Sequence, residues 1–237
     1  GYLRHAQVWL DLNRNQLLDD DEPDAETGDG GKATLDVSAI AGSVGDYPLM
    51  GRVIAGKTID EDHPEQVLAR DYLMSAPGGY RVITPLTTLL AVQVSNGQPL
   101  AAAEQTLRDQ LSQPNAVLNG DYLANDDVLL AASARLLADL LPTNASEMAQ
   151  EGEKQQLSQA VSLLGQEISR QQTAGGKVDL SGISVAYVAE QQSVVLLKDR
   201  DGDGVADAND AFPEDSSESV DTDHDGRGNN ADLDDDN

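Results

Sequence analysis

The sequence predicts a mixed α+β protein of several domains, in which a small β-sandwich precedes an α-helical bundle and a C-terminal segment of irregular acidic repeats. Three observations support this class. Short runs of alternating apolar and polar residues fill the first third of the chain. Leucine and valine then recur at helical spacing over residues 84–176. Aspartate dominates residues 199–237, where few apolar side chains remain to build a core.

The predicted β-sandwich covers residues 1–83 and consists of short strands with turns between them. Trp9 lies on the first strand, where we expect it to anchor the core, with sugar stacking on an exposed face as the alternative. The predicted strands are 3–12, 33–37 and 49–55, followed by a hairpin of 72–74 and 80–83 across the Pro77-Gly78-Gly79 turn.

The predicted bundle covers residues 84–176 and contains four amphipathic helices with short connections. Thr84 is an N-cap and Pro85 suits the first helical position, so a helix begins there and runs to Gly97. Pro99 begins a second helix with apolar residues in register to Leu111. Asn125 or Asp126 caps a third helix, which runs to Leu141, and a fourth carries its apolar face from Leu157 to Ile168 and ends before Gly175.

Two further strands, residues 182–187 and 193–197, follow the helices. They form a hairpin within residues 177–198, which we expect to return to the N-terminal sheet. A separate hairpin is the alternative.

The most informative stretch is the twelve-residue loop from Asp199 to Asp210. Carboxylates stand at positions 1, 3, 5, 9 and 12, and Gly204 at position 6 permits the left-handed turn that a tight loop needs. Ca²⁺ takes six to eight oxygen ligands, and alternate residues of such a loop supply them. The same register begins again at Asp221, with Gly226 at position 6. The spacing therefore predicts two calcium sites, with a solvated acidic tail as the alternative.

The predicted ligands come from corresponding positions of the two loops, and position 7 binds through its main-chain carbonyl. Two acids near the C-terminus resemble positions 1 and 3 of a third loop, so we expect the natural protein to continue beyond Asn237. The ligands are Asp199, Asp201, Asp203, Val205, Asp207 and Asp210 in the first loop, Asp221, Asp223, Asp225, Arg227, Asn229 and Asp232 in the second, and Asp234 and Asp236 in the third.

Residues 199–237 resemble thrombospondin type 3 repeats. The resemblance rests on the DxDxDGxxDxxD pattern, on Phe212-Pro213-Glu214-Asp215 and on the DxDDDN ending. It implies that calcium, with little help from apolar side chains, organises this part of the chain. It also implies that Asp215 and Glu218 lie beside the ions.

A further loop with this spacing follows the first strand. Its candidate ligands are Asp11, Asn13, Asn15, Leu17, Asp19 and Glu22, at positions 1, 3, 5, 7, 9 and 12. It resembles the DxNxNGxxDxxEP loop in β-sandwich repeats of bacterial surface adhesins. Gln16 stands where glycine is usual, so we expect strain and a lower affinity for calcium. The alternative is a polar turn whose Asn and Asp residues adopt left-handed conformations.

Composition excludes several classes of function. The net charge is −27, and residues 199–237 hold 13 Asp and 2 Glu against two Arg, so no basic patch is available for nucleic acid or an anionic membrane. No apolar run is long enough to span a membrane. The sequence lacks cysteine and shows no HExxH, GxSxG or Walker-type pattern, so we expect no disulfides and no catalysis.

Residues 1–95 resemble the N-terminal module of gammaproteobacterial surface proteins that carry thrombospondin type 3 repeats. The similar segments are Ala6-Gln-Val-Trp-Leu-Asp11-Leu-Asn13, Leu73-Met-Ser-Ala-Pro77 and Val82-Ile-Thr-Pro85-Leu-Thr-Thr88-Leu. The resemblance implies a secreted or cell-surface protein of a Gram-negative bacterium. Because the sequence begins at Gly1 without Met, we expect a segment to precede it.

These observations predict a non-catalytic, calcium-binding structural or adhesion module. The alternatives are a self-assembling subunit of an extracellular fibre and a carbohydrate-binding module. The expected partners are calcium ions and, beyond them, other copies of the chain, surface glycans or matrix.

Overall fold

A computed structural model of the chain describes residues 1–201 and 205–232. This described part contains five α-helices and three small antiparallel sheets, which confirms the mixed α+β class. Three predicted ligands, Asp203, Asp234 and Asp236, lie outside it, as does Gly204 at position 6 of the first acidic loop. Their roles stay predictions.

The N-terminal third forms a four-stranded sheet of order β3-β2-β4-β6 and a separate two-stranded ladder of β1 and β5. His5 adopts a left-handed conformation (φ 64°), which divides the predicted strand 3–12 into β1 and β2. The register places Val8 opposite Ala25 on one side and Gly51 on the other. The strands are β1 (Leu3–Arg4), β2 (Gln7–Leu10), β3 (Asp24–Glu26), β4 (Leu49–Val53), β5 (Ile59–Asp60) and β6 (Tyr72–Ala76).

The helices begin where local capping groups are available. The Thr84 hydroxyl accepts a hydrogen bond from the Thr87 amide (3.0 Å), and the Thr87 hydroxyl accepts one from the Thr84 amide (2.8 Å), so the predicted start of α1 is confirmed. The third helix is capped by Asp127 rather than Asn125 or Asp126, because Asp126 takes a left-handed conformation (φ 53°). The helices are α1 (Pro85–Ser95), α2 (Leu100–Gln110), α3 (Val128–Ala138), α4 (Ala145–Met148) and α5 (Glu151–Thr173).

Arg70 explains why α3 ends before the predicted Leu141. Its guanidinium donates hydrogen bonds to the carbonyl oxygens of Ala138 (2.6 Å) and Leu141 (2.8 Å) and lies 5.2 Å from the ring centre of Tyr72. A cation at the carboxyl end of a helix satisfies carbonyls that have no partner within the helix. The loop before β6 therefore fixes the end of α3.

Helices, rather than a second sheet, cover the four-stranded sheet. On one face, Trp9, Met50 and Leu73 form a buried cluster with Met148 of α4. On the other face, Val53 and Met74 belong to the large apolar core that α1, α2, α3 and α5 share. The structure thus differs from the predicted β-sandwich, and the boundary at residues 83/84 separates elements that share one core.

Two predicted strands are wrong. Residues 33–37 form no strand. Residues 80–83 also stay irregular, because the free edge of β6 is already occupied. There, the Leu73 amide donates to the Pro142 carbonyl (2.8 Å) and the Ser75 amide to the Thr88 hydroxyl (3.0 Å). Two short strands, β3 and β5, and the short helix α4 were not predicted.

The C-terminal hairpin pairs β7 (Ile183–Val188) with β8 (Ser193–Lys198) and joins no other sheet in the described residues. The expected return to the N-terminal sheet is therefore wrong, and the alternative of a separate hairpin is confirmed. Ile183, Val185 and Val194 are buried in the core that α3 and α5 also line. The apolar face of the hairpin therefore packs on helices. The hairpin cannot pair with β6, because the outward main-chain groups of β6 are already hydrogen-bonded.

Helices α2 and α5 cross at close range. A Cβ atom added to Gly165 of α5 would lie 1.6 Å from the carbonyl oxygen of Gln110. Leu164 beside this glycine and Leu111 at the end of α2 are both fully buried. The crossing therefore depends on the missing side chain of Gly165. None of the helices in the described part of the chain has the length and apolar character needed to cross a bilayer.

Candidate metal centres

The second acidic loop, residues 221–232, has a regular set of hydrogen bonds from main-chain amides to its own Asp side chains. Asp221 at position 1 accepts from the amide of Gly226 at position 6 (3.1 Å). Asp223 at position 3 accepts from Asp225 at position 5 (3.2 Å), and Asp225 from Arg227 at position 7 (2.8 Å). We call these three contacts, 1 to 6, 3 to 5 and 5 to 7, the loop frame.

The loop frame brings three carboxylates together. One carboxylate oxygen from each of Asp221, Asp223 and Asp225 lies within 4.8 Å of the others. Such a spread is compatible with a shared ion, because two oxygens on opposite sides of Ca²⁺ are about 4.8 Å apart. The Oδ1 atom of Asp221 is buried and has no hydrogen-bond partner. A buried carboxylate oxygen without a partner is costly, and a cation would satisfy it.

Position 9 closes the base of the loop instead of pointing into the carboxylate group. The Asn229 amide donates to the carbonyl of Val220 (2.9 Å), and its side-chain Oδ1 accepts from the Thr222 amide (3.0 Å). At position 12, the Asp232 amide donates to the Gly228 carbonyl (2.9 Å). Of the predicted ligands, Asp221, Asp223 and Asp225 are therefore brought together, whereas Asn229 holds the loop ends.

Glu218 precedes this loop and is buried against it. The residue is 7% exposed, and its Oε2 accepts a hydrogen bond from the Asn230 amide (3.0 Å). A Cβ atom on Gly228 would lie 2.0 Å from that oxygen, so a larger residue there would have to displace the Glu218 side chain. Asp215 has a local role, because its Oδ1 accepts from the amide (3.1 Å) and hydroxyl (2.7 Å) of Ser217.

The first acidic loop, residues 199–210, closes at position 9 in the same way. The Asp207 amide donates to the Lys198 carbonyl (2.6 Å), and its Oδ1 accepts from the Arg200 amide (2.9 Å). The Arg200 guanidinium also pairs with Asp207 and Glu214, each at 2.8 Å. Asp210 at position 12 is 9% exposed and accepts from the Phe212 amide (2.8 Å). Asp203 lies outside the described residues.

The N-terminal loop, residues 11–22, has the same loop frame. Asp11 accepts from the amide of Gln16 (2.9 Å), Asn13 from Asn15 (3.0 Å) and Asn15 from Leu17 (2.7 Å). The left-handed residues also correspond. They are Arg14 (φ 62°) and Gln16 (φ 64°) here, and His224 (φ 65°) and Gly226 (φ 90°) in the second acidic loop. The two loops have different residues at positions 4 and 6, and they still share one backbone conformation over positions 1–7.

The acids of the N-terminal loop are satisfied internally. The side-chain amides of Asn13 and Asn15 both donate to Asp19 Oδ2 at 2.7 Å. Glu22 is 6% exposed and accepts from the amides of Leu12 (2.7 Å) and Asp19 (3.2 Å). In the part of the chain that the structure describes, the Asp221 group alone forms a carboxylate cluster compact enough for a metal ion. Asp11, Asp19 and Glu22 form no such cluster.

The buried position of Asp11 disfavours the ionised form of its carboxyl. The residue is fully buried, and burial raises the pKa of its carboxyl above the usual value, although hydrogen bonds from the amides of Gln16, Arg14 and Asn15 lower it in part. A buried carboxylate whose ionised form is disfavoured gains from a nearby positive charge. Binding a cation here would require the amides of Asn13 and Asn15 to leave Asp19 and present their oxygens.

Replacing Gln16 by glycine is expected to strengthen calcium binding at the N-terminal loop about fivefold. Gln16 has φ 64°, a conformation that costs a residue with a side chain about 1 kcal/mol and glycine almost nothing. Titration calorimetry measures the change. Gln16→Ala is the matched control, because alanine keeps the strain and should leave the affinity as it is. Equal affinities for the glycine and alanine variants would contradict the role of backbone strain.

Several functional features could not be found from residue types. The sequence does not indicate that the residue at position 9 closes each C-terminal loop, because Asp and Asn serve both as ligands and as turn residues. The left-handed residue Arg14 also lacks a sequence signal, since arginine is not among the residues enriched at positive φ. Trp9 is 2% exposed, as expected for a core anchor, so it offers no surface to a sugar.

Comparisons with models of protein families, with curated proteins and with solved structures give no match for this chain.

Proposed function

We propose that this chain is a non-catalytic, calcium-binding structural module of a secreted or cell-surface bacterial protein, with a role in adhesion. The proposed ligands in the described residues are the oxygens of loops 11–22, 199–210 and 221–232. Exposed carboxylates often cluster without an ion, so the Asp221 group alone does not identify calcium. A second, independent feature is needed.

The recurrence of the loop frame supports the proposal most directly. Loops 11–22 and 221–232 are far apart in sequence and lie in different parts of the fold, yet each holds positions 1, 3 and 5 by the same three hydrogen bonds. In each loop these bonds engage one oxygen of each of the three side chains and hold the side chains against the main chain of the loop. Ca²⁺ takes six to eight oxygen ligands in flexible geometry, and a loop of this kind supplies them from alternate residues, whereas Mg²⁺ with its strict octahedral geometry suits such a loop less well.

The ion would serve a mechanical purpose in the C-terminal segment. Residues 205–232 contain no helix or strand, and Val220, one of few apolar side chains there, is 52% exposed. With so little apolar burial, the free energy of ion binding would supply most of the folding free energy of this segment. The acids that repel one another without ions would then hold the chain together.

Location and adhesion rest on chemistry and on the resemblances described above. Sites of this type fill at the high free calcium found outside cells. The resemblance of residues 199–237 to thrombospondin type 3 repeats and of residues 1–95 to modules of bacterial surface proteins favours that environment. The carbohydrate-binding alternative has no comparable support, because Trp9 is buried.

Calorimetric titration with CaCl₂ tests the proposal on the chain of residues 1–237. We expect saturable binding with a Kd of about 1 mM or tighter, as in extracellular calcium modules. Asp225→Asn and Asp11→Asn each replace a ligand by a neutral group of the same shape, and each should weaken its own site about tenfold or more. Glu190→Gln removes one charge from the hairpin turn outside the loops and is the matched control.

The outcomes separate clearly. Binding that both loop variants lose in part, and that Glu190→Gln retains, supports the proposal. No heat and no shift in stability at about 10 mM calcium, far above the expected Kd, would rule it out.

A further inference from the structure

The β7–β8 hairpin carries apolar side chains on both of its faces. Val185 and its cross-strand partner Leu196 belong to the core that the helices line, which identifies the inner face of the hairpin. Because side chains alternate along a strand, the residues between the inward ones lie on the outer face. The outer face consists of three cross-strand pairs, which are Ser184 with Leu197, Ala186 with Val195 and Val188 with Ser193.

The outer face has no apolar partner in the described part of the chain. Four of its six side chains are apolar, yet none of the four belongs to either hydrophobic core of the described residues. Leu197 is 37% exposed, and the other three, Ala186, Val188 and Val195, are half-buried. An antiparallel sheet with one face in water normally has polar residues on that face. An apolar outer face instead marks a contact surface.

The shape of the outer face is complementary to itself. Each cross-strand pair joins one small and one larger side chain. The larger side chains form a ridge that runs along β8 and crosses to β7 near the turn, through Leu197, Val195 and Val188. The small side chains form the adjoining hollow, which contains Ser184, Ala186 and Ser193. Two such faces related by a two-fold axis can each place the ridge of one in the hollow of the other.

Charge identifies the partner as a second copy of the chain. The outer face contains no charged side chain, whereas the chain has a net charge of −27. Two copies of so acidic a chain repel one another over most contacts, but at this face they can approach without opposing carboxylates. A basic partner would gain nothing here and would bind the acidic surfaces instead.

We propose that the outer face of the β7–β8 hairpin is a self-association surface on which two copies of the chain pack face to face. The two hairpins form a small two-layer sandwich with the sheets about 10 Å apart. Leu197 of each copy loses its exposure to water against the hollow of the other copy. The main-chain hydrogen bonds of both hairpins stay as they are.

The dimer is weak and reversible, because the contact is small. Two paired strands of six residues cover about 200 Å² per copy, against about 800 Å² per partner in a stable interface. We expect a Kd of about 10 µM to 1 mM. The two-fold symmetry closes the contact at a dimer. None of the six residues belongs to the three calcium loops, so the contact does not depend on the proposed calcium sites.

Sedimentation analysis from about 10 µM to 1 mM protein tests the contact, in calcium and in chelator. We expect the monomer to convert to a dimer as concentration rises in both buffers, and to convert more readily at high NaCl, which screens the repulsion between the acidic chains. Leu197→Asp places a carboxylate of each copy in the contact and should weaken association about tenfold or more. Tyr187→Asp is the matched control, because Tyr187 is 40% exposed on the same hairpin but pairs with the buried Val194 on the inner face.

Cross-linking gives a second measurement, because the chain contains no cysteine and a single introduced thiol reports one position. Val195→Cys, at the centre of the outer face, should yield a covalent dimer with a short bismaleimide. Gln105→Cys, on the exposed side of α2, should stay monomeric. A chain that is monomeric at every concentration overturns the proposal. So does a dimer that tolerates Leu197→Asp as well as Tyr187→Asp, or one that cross-links equally through both cysteines.

Discussion

Replacing Gly165 by alanine is expected to destabilise the protein by about 3 kcal/mol or more, because the added methyl group would lie 1.6 Å from the Gln110 carbonyl oxygen. The obstacle is the main chain of α2, which cannot rotate away as a side chain can. The two helices must separate, and the buried Leu111 and Leu164 beside the crossing then lose contacts.

Chemical denaturation followed by helical circular dichroism measures this effect. Gly152→Ala is the matched control, because Gly152 lies on the same helix and nothing is within 4 Å of its added Cβ. Alanine favours helix over glycine by up to about 1 kcal/mol, so this variant should be neutral or slightly more stable. Equal unfolding midpoints for the two variants would contradict the close crossing.

Removing calcium is expected to unfold residues 205–232 while the helices keep their structure. One site saturated at a hundred times its Kd stabilises the segment that forms it by about 2.7 kcal/mol, and chelation removes this whole contribution. The main chain of the segment is held by scattered bonds such as Asn229 to Val220 (2.9 Å) and Gly226 to Asp221 (3.1 Å). The helical core contains no proposed ligand and keeps its apolar packing.

Residue-resolved hydrogen exchange in calcium and in chelator tests this prediction. The amides of Gly226 and Asn229 should lose protection in chelator, whereas those of Leu164 and Ile168 in α5 should keep it. Magnesium at the same concentration is the control for ionic strength. Protection of Gly226 and Asn229 that is equal in calcium and chelator would show that the loops hold themselves together without the ion.

Features decided by neighbouring residues were predictable from the sequence. Thr84 and Pro85 begin α1 through contacts within one helical turn, and the hairpin after residue 182 follows from its own alternation. The oxygen spacing of loops 11–22 and 221–232 is local in the same sense, and their shared loop frame agrees with it.

Features decided by distant residues were not predictable. Residues 80–83 have a strand-like pattern, but Pro142 and Thr88 occupy the edge where they would pair. The layer that covers Trp9 comes from Met148, which lies in a helix too short to give a periodic signal. In the N-terminal loop, the side-chain amides of Asn13 and Asn15 donate to Asp19. The spacing of residues cannot show whether an Asn side chain donates through its nitrogen or binds an ion through its oxygen.

The hydrogen bond from the Asp207 amide to the Lys198 carbonyl holds the two ends of the first acidic loop together. It joins residues on either side of the first acidic loop, so part of any tension applied beyond Asp207 passes directly to the end of β8. When this bond and the bonds from Arg200 to Asp207 break, the chain between Lys198 and Asp207, with a contour of about 30 Å, can extend. If the loop holds calcium as proposed, the ion would have to dissociate before this segment can extend. A surface protein under shear would then extend in calcium-dependent steps before force reaches its core.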